Sequence, residues 1–320
     1  MTKGLSNSHS GQDGSLLSIG THSLFLSVSG VIRTSGEPLV LFIAGSGDVA
    51  ASYVAVERLV GAFAPVILYD RSGLGRSQDG PNRPTATIAA IELHKLLESA
   101  NLTAPLLLVA HSYGGIVARE YLHLYPDDVA GMVLADASTE RQSELIKDPD
   151  LDIDAVLRDL KFSQVTGLRD SAQLSRDEWR ARAAGIARGI PTSQAESAAA
   201  TEVCETLGSK EQYKNQALGD KPLSIIRCRG SQDYRRIYEK VVEVGNGTEA
   251  QRTAFRRLLD RWDPIDQRAQ EEQLQLSSNS RLIYLPDCGH HVHLIRPDVV
   301  ADEIRWVRGQ ILNPSSPQKL

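Results

Sequence analysis

The ten-residue stretch that begins at Leu106 constrains the fold of this chain more than any other feature. Four consecutive aliphatic residues, Leu106 to Val109, are typical of a central parallel strand that is buried on both faces. Ser112 follows and leads directly into a helical pattern, and such an abrupt turn requires small neighbours, here Ala110 and Gly114. A hydroxyl at this corner would stand at a helix N-terminus, where the free N–H groups favour a developing anion. The pattern therefore predicts that Ser112 is a nucleophile on a strand-turn-helix corner.

Composition places the chain among ordinary globular proteins and narrows its partners. Its 320 residues are 41% hydrophobic and 23% charged, and 35 basic against 40 acidic residues give a net charge of −5. No basic cluster stands out, so we expect no nucleic-acid partner. No apolar run approaches the ~18 residues of a membrane span. Three scattered cysteines without C-x-x-C spacing argue against a disulfide framework or a zinc knuckle and favour a reducing compartment.

Alternating strand and helix patterns predict a doubly wound, mostly parallel α/β sheet. Residues 22–29 alternate apolar and polar and are interpreted as an antiparallel edge strand. Helices are expected within a strand-free region at 153–161, 176–187 and 193–207, and a second helical excursion at 234–276. The predicted division is a flexible lead at 1–15, an α/β core at 16–138 and 221–312, a helical lid insertion at 139–220, and a flexible tail at 313–320.

A serine hydroxyl needs a base to remove its proton, and a histidine suits that task near neutral pH. His290 follows the last core strand, after a glycine that lets the loop turn inward, and it comes later in the chain than Ser112. A carboxylate must then orient the imidazole. Asp136 and Asp233 each end a core strand, so either could reach His290, although aspartate is also common as a helix cap at such positions.

Acyl-transfer chemistry also needs two N–H donors that face the developing oxyanion. One is expected from the backbone of Tyr113, directly after the nucleophile, and the other from the Ser46 amide. Gly45 and Gly47 flank Ser46 and allow the backbone to approach a substrate closely. Together with His111, these two glycines are the predicted substrate-binding wall.

The motifs carried by these residues resemble, as a set, those of the α/β-hydrolase superfamily, and of its lidded soluble members with a G-H-S-Y-G-G corner. The matching segments are 44–47, 69–77, 110–115, 133–138 and 288–290. The chain departs from the pattern at Ala110, where glycine is usual, and at Ala44, where histidine is frequent. Many superfamily members place the acid after the later strand, which favours Asp233. The G-H-S-Y-G-G relatives favour Asp136, which we prefer narrowly while the choice stays open.

The sequence also allows three other interpretations. A dinucleotide fingerprint is imitated by the segment Gly45-x-Gly47-x-x-Ala50 together with Asp70, which closes the next strand. This fingerprint would make the protein a nicotinamide-dependent oxidoreductase, but it leaves the serine corner unexplained. The same fold could instead serve as a small-molecule receptor or a non-hydrolytic rearrangement enzyme. The run of histidines at 290, 291 and 293 could indicate a metal, but no acidic ligand cluster accompanies it.

The expected activity is hydrolysis of a small-molecule ester, thioester or lactone through an acyl-enzyme on Ser112, without a metal or organic cofactor. The substrate and the oligomeric state are not readable from the sequence. The polar lead lacks the apolar core of a signal peptide, so a cytoplasmic location is expected. The C-terminal Gln-Lys-Leu differs by one residue from a peroxisomal address, which leaves that compartment as a weaker alternative.

Overall fold

A single eight-stranded sheet organises the protein, seen here in a computed structural model that describes residues 14–145, 150–157 and 160–313. The spatial order is β1-β2-β4-β3-β5-β6-β7-β8. Strand β2 pairs antiparallel with β1 and β4, and all later neighbours are parallel. The strands are β1 Ser15–Ser18, β2 Ser23–Gly30, β3 Leu39–Ile43, β4 Pro65–Tyr69, β5 Leu106–His111, β6 Val129–Ala135, β7 Leu223–Cys228 and β8 Ser280–Leu285.

Helices cover both faces of this sheet and form two further segments between its later strands. The helices of the core are α1 Val54–Val60, α2 Ala86–Ser99, α3 Gly114–Leu124, α13 Val292–Ile295 and α14 Pro297–Leu312. The first helical segment, between β6 and β7, contains α4 Gln142–Leu145, α5 Leu151–Leu157, α6 Phe162–Val165, α7 Leu168–Ser171, α8 Arg176–Arg188, α9 Ile190–Ala198 and α10 Ala200–Gly208. The second helical segment, between β7 and β8, contains α11 Ser231–Val244 and α12 Glu249–Glu272.

The alternating side chains of β5 show how the sheet is buried. Leu106, Leu108 and Ala110 belong to an apolar cluster with residues of α2 and α3. Leu107 and Val109 point to the other face and join a cluster with α1 and α14. All residues of this strand are buried, which confirms the prediction of a doubly wound, mostly parallel sheet with a central strand before the serine.

One prediction at the antiparallel side was wrong, and one strand was not predicted. The strand expected at the sheet edge, β2, is second from it, because β1 pairs along its outer side. The strand that was not predicted is β1, which begins at Ser15, the last residue of the expected lead, and whose four residues are mostly exposed. Residues 1–13 and 314–320 lie outside the described part, and with them most of the predicted lead and tail.

The two helical segments pack against each other through an apolar cluster of their own. Ile153 and Val156 of α5 lie against Ile237 of α11 and against Phe255 and Trp262 of α12. The region predicted as one helix at 193–207 is instead two, α9 and α10, which meet at Ala199. No helix in the described ranges is long and apolar enough to cross a bilayer.

Candidate active site

Ser112 occupies the sharp turn between β5 and α3. Its φ is +52°, a left-handed conformation that is uncommon for a residue with a side chain. The turn depends on Gly114, where a Cβ would lie 2.2 Å from the carbonyl oxygen of Ile43. At Gly115, a Cβ would lie 2.6 Å from that of Ala137. Close packing on both sides therefore holds Ser112 in its strained position at the start of the 11-residue helix α3.

His290 is fixed at three of its atoms in the loop after β8. Its imidazole Nδ1 donates to Asp136 Oδ2 at 2.7 Å. Its backbone N–H donates to Asp233 Oδ2 at 2.9 Å, and its carbonyl oxygen accepts from His111 Nε2 at 2.9 Å. An ionised carboxylate only accepts hydrogen bonds, so Nδ1 carries the proton and the Nε2 lone pair of His290 is left to act as a base.

The two candidate acids thus lie at different parts of His290. Asp136 is buried, has a φ of +45°, and accepts the Cys228 N–H through Oδ1 at 2.8 Å while Oδ2 faces the imidazole. Asp233 lies in the first turn of α11 and reaches only the main chain of His290. The geometry therefore favours Asp136 as the partner of the ring and gives Asp233 the position of a loop anchor.

The charges around His290 govern its pKa. Burial by itself lowers that pKa, but the hydrogen bond and negative charge of Asp136 act against it, with smaller contributions from Asp233 and Asp266. The net result is a pKa raised above the ordinary value. A base with a raised pKa accepts a proton from serine more readily, but it is also protonated at a higher pH.

Behind His290 lies a cluster formed by His111, His291 and His293. One ring nitrogen of each lies within 4.8 Å of the others, and His293 Nε2 is 3.4 Å from Asp48 Oδ2. Burial, followed by the proximity of the other imidazoles, lowers the pKa of His111 and His291 well below the ordinary value; that of His293 is lowered mainly by burial. The neutral form is therefore favoured at His111 and His291, and His111 Nε2 donates to the His290 carbonyl oxygen.

The predicted oxyanion loop directly follows the end of β3. Ser46 is exposed, whereas Gly45 and Gly47 are buried. A Cβ on Gly45 would be 3.2 Å from the Ser112 Cβ, so the loop lies directly against the serine corner. Tyr113, which supplies the second expected amide, is buried as the residue before α3. The loop that contains Ser46 thus lies against Ser112, and Tyr113 is the next residue of the chain.

A cavity of about 680 Å³ opens above Ser112 and His290. Its described lining comes from the sheet edge and from both helical segments: Ser112, Asp136, Ala137, Ser138, Gln142, Leu145, Asp150, Ile153, Asp154, Leu157, Ala200, Thr201, Cys204, Gly230, Tyr234, Trp262, Asp266, Gln270 and His290. Gly45, Gly47 and His111, the predicted substrate wall, are not among these described lining residues. Burial raises the pKa of Asp266 to about 6, although Arg227 donates to its carboxylate at 2.8 Å.

Sequence reasoning missed the second helical segment as part of this cavity. Tyr234 and Trp262 come from α11 and α12, and the centroids of their rings lie 4.6 Å apart. The sequence carried only a weak signal for them, since aromatic residues in amphipathic helices are usually core. The ion pair of Arg71 with Glu196, beside the oxyanion loop, was also missed, although the turn that contains Arg71 was singled out.

The dinucleotide interpretation does not fit the position of Asp70. Its carboxylate accepts the backbone N–H groups of Ala50 at 2.7 Å and of Arg76 at 2.9 Å. The side chain is therefore used to shape two turns of the protein and is buried, rather than facing a site where a ribose could bind.

Comparison with known proteins concerns the family and the fold of this chain. A family model described as the alpha/beta hydrolase family matches residues 40–303. An "AB hydrolase superfamily protein" of Gibberella zeae is 30% identical over 298 residues, which cover 89% of this chain and 90% of that protein. A "Probable transporter efuK" of Hormonema carpetanum is also 30% identical, over 91% of this chain, but the chain spans only 42% of its length.

Solved structures show the same fold at low sequence identity. A thermophilic esterase from Thermogutta terrifontis has a TM-score of 0.58 and 18% identity, and the match covers 93% of this chain and 99% of that one. At this identity the likeness concerns the fold alone.

Proposed function

Because the chain belongs to the alpha/beta hydrolase family, we propose that it is a serine hydrolase that cleaves a small-molecule ester, thioester or lactone through an acyl-enzyme on Ser112. One observation carries the proposal. Ser112 lies on a strained corner, and it lines the same cavity as an imidazole whose Nδ1 is bound to a buried carboxylate. This arrangement joins a nucleophile, a base and an orienting acid.

In the proposed mechanism, His290 Nε2 takes the Ser112 proton as the hydroxyl oxygen attacks the substrate carbonyl. Asp136 keeps the other ring proton on Nδ1 and stabilises the imidazolium that forms. The Ser46 and Tyr113 amides hold the oxyanion, and the leaving group departs with a proton from His290. Water, activated by the same imidazole, then attacks the acyl-enzyme and regenerates free Ser112.

The cavity supports a small-molecule substrate. Its volume of about 680 Å³ falls within the range of roughly 300–1,000 Å³ that is usual for such sites. Both helical segments line it, so we assign them together the role of a lid and of the specificity surface. This extends the predicted lid at 139–220 by the segment between β7 and β8.

The test is hydrolysis of p-nitrophenyl esters of increasing acyl length, with thioester and lactone substrates in parallel. Ser112→Ala should remove turnover of any substrate that the native protein cleaves, while Ser209→Ala, an exposed serine at the end of α10, serves as the matched control. Full activity in Ser112→Ala would refute the proposal. Ligand binding retained by Ser112→Ala, with no turnover by the native protein, would instead favour a receptor.

A further inference from the structure

A buried ion pair joins the first helical segment to the loop expected to form the oxyanion hole. Arg71 follows β4, and Glu196 lies in α9, 125 residues later in the chain. Glu196 Oε1 accepts from Arg71 Nε at 2.9 Å and from Nη2 at 2.7 Å. The side chains are only 4% and 2% exposed, so the pair is almost completely shielded from water. Burial alone would lower the pKa of Arg71, but the charge of Glu196 and its hydrogen bond, together with the neighbouring Tyr69 and Tyr113, outweigh burial and raise that pKa.

Both members of the pair also bind the loop at residues 44–47. Arg71 Nη1 donates to the Ala44 carbonyl at 2.6 Å, and Nη2 donates to the Gly45 carbonyl at 2.8 Å. Glu196 Oε2 accepts from Ser46 Oγ and from the Gly47 N–H, each at 2.9 Å. The loop is thereby held through its carbonyls by one partner and through its donors by the other.

The planarity of the peptide bond links these contacts to the Ser46 amide. In a trans peptide, the carbonyl of Gly45 and the N–H of Ser46 point in opposite directions. Since Arg71 binds the Gly45 carbonyl, the Ser46 N–H must point away from the guanidinium. Arg71 also lies over the ring of Tyr113, with its Cζ 5.4 Å from the centroid. One cation thus adjoins both residues that we expect to supply oxyanion donors.

Helix α9 is seated on glycines at two points beside this pair. A Cβ on Gly47 would lie 2.5 Å from Ser193 Oγ, and one on Gly73 would lie 2.1 Å from Thr192 Oγ1. Both glycines have positive φ values, +62° and +74°. The first turn of α9 can therefore approach the core closely only because these positions lack side chains, and this approach brings Glu196 to the loop.

We propose that Arg71 and Glu196 are positioning residues that orient the Ser46 amide, so that the oxyanion hole is complete only when helix α9 is seated on the core. This inference rests on the proposed function and deepens it. Neither side chain needs to touch the substrate, because each acts through the backbone at residues 44–47. The lid would then control catalysis as well as access to the cavity.

The test compares Glu196→Gln with Glu202→Gln on an ester that the native protein cleaves. Glu202 is a matched control because it lies in α10 of the same helical segment and pairs with Arg83, which precedes α2. This pair lies at the surface, where the Glu202 and Arg83 side chains are 56% and 65% exposed. We expect Glu196→Gln to lower kcat by about 10- to 100-fold with KM changed by less than about threefold. Affinity for a boronic acid that forms a tetrahedral adduct on Ser112 should fall in parallel. Glu202→Gln should leave all three quantities unchanged.

A second variant separates orientation from stability, because one unpaired buried charge could unfold the protein. The double substitution Arg71→Met with Glu196→Leu removes both charges together, which proteins often tolerate. We expect it to recover the melting temperature but not kcat. Native kcat in the double variant, or in Glu196→Gln, would overturn the inference while leaving hydrolysis by Ser112 intact. A native protein that neither cleaves esters nor reacts with a fluorophosphonate would overturn the proposed function and this inference together.

Discussion

Replacing Asp136 with asparagine should slow the proposed reaction strongly by changing the tautomer of His290. Asp136 Oδ1 accepts the Cys228 N–H at 2.8 Å while Oδ2 accepts from His290 Nδ1 at 2.7 Å. In the asparagine variant, the Cys228 N–H would still need an oxygen, so the amide NH₂ would face Nδ1. That nitrogen must then accept a hydrogen bond, which moves the ring proton to Nε2, where the base should be free.

The expected loss in kcat/KM is about 10³- to 10⁴-fold, or about 4–5.5 kcal/mol at ~1.4 kcal/mol per tenfold. Asp233→Asn is the matched comparison, because its amide oxygen can still accept the His290 backbone N–H that now lies at 2.9 Å. The substitution removes the charge assistance of that hydrogen bond and the small contribution of the Asp233 charge to the pKa of His290, so a decrease of up to about tenfold is expected.

The assay is steady-state hydrolysis of one p-nitrophenyl ester by the native protein and both variants. Circular dichroism and melting temperatures should confirm that all three are folded. The reasoning is refuted if Asp136→Asn retains activity within tenfold of native, or if Asp233→Asn is the more damaging change.

Three further outcomes are expected. The raised pKa of His290 should place the acid limb of the native kcat/KM profile above pH ~6.5, with activity lost as pH falls through that pKa; a midpoint clearly below would contradict the electrostatics. The pKa of His291 in the folded protein lies well below its value in the unfolded chain, so the unfolded chain binds more protons. The free energy of unfolding should therefore fall as pH drops below ~6.5, by at most ~1.4 kcal/mol per pH unit for this group. Urea unfolding at pH 7.5, 6.5 and 5.5 should show that the free energy of unfolding decreases less in His291→Asn than in the native protein. His123→Asn, an exposed control, should show the same decrease as the native protein. Gly45→Ala would place a methyl group 3.2 Å from the Ser112 Cβ and should lower kcat about tenfold; an unchanged kcat in the same ester assay would show that the loop can yield.

The sequence predicted the parts of the protein in which the local residue pattern alone indicates where the segment lies in the fold. The aliphatic run before Ser112 had to be a buried central strand, and the small residues around the serine had to form a sharp turn. Strand β1 could not be found in this way, because Ser15–Ser18 is short and mostly exposed and is held by pairing with β2 rather than by burial. Its existence depends on a distant partner.

The acid was left open for a related reason. Asp136 and Asp233 both follow strands that end at the same edge of the sheet, and they reach different atoms of His290. That difference depends on side-chain direction, which strand order does not specify. Glu196 is harder still, since it lies in a helix rich in small and polar residues, and its burial depends on distant partners, namely Arg71 and the loop at residues 44–47.

An acyl-enzyme on Ser112 is measured most directly by intact-protein mass spectrometry after rapid acid quench. During turnover of a p-nitrophenyl ester, the native protein should gain the mass of one acyl group, and peptide mapping should place it on Ser112. Ser112→Ala should gain none, while Ser209→Ala should behave as the native protein does. Turnover with no adduct at any quench time, together with full activity in Ser112→Ala, would contradict the account.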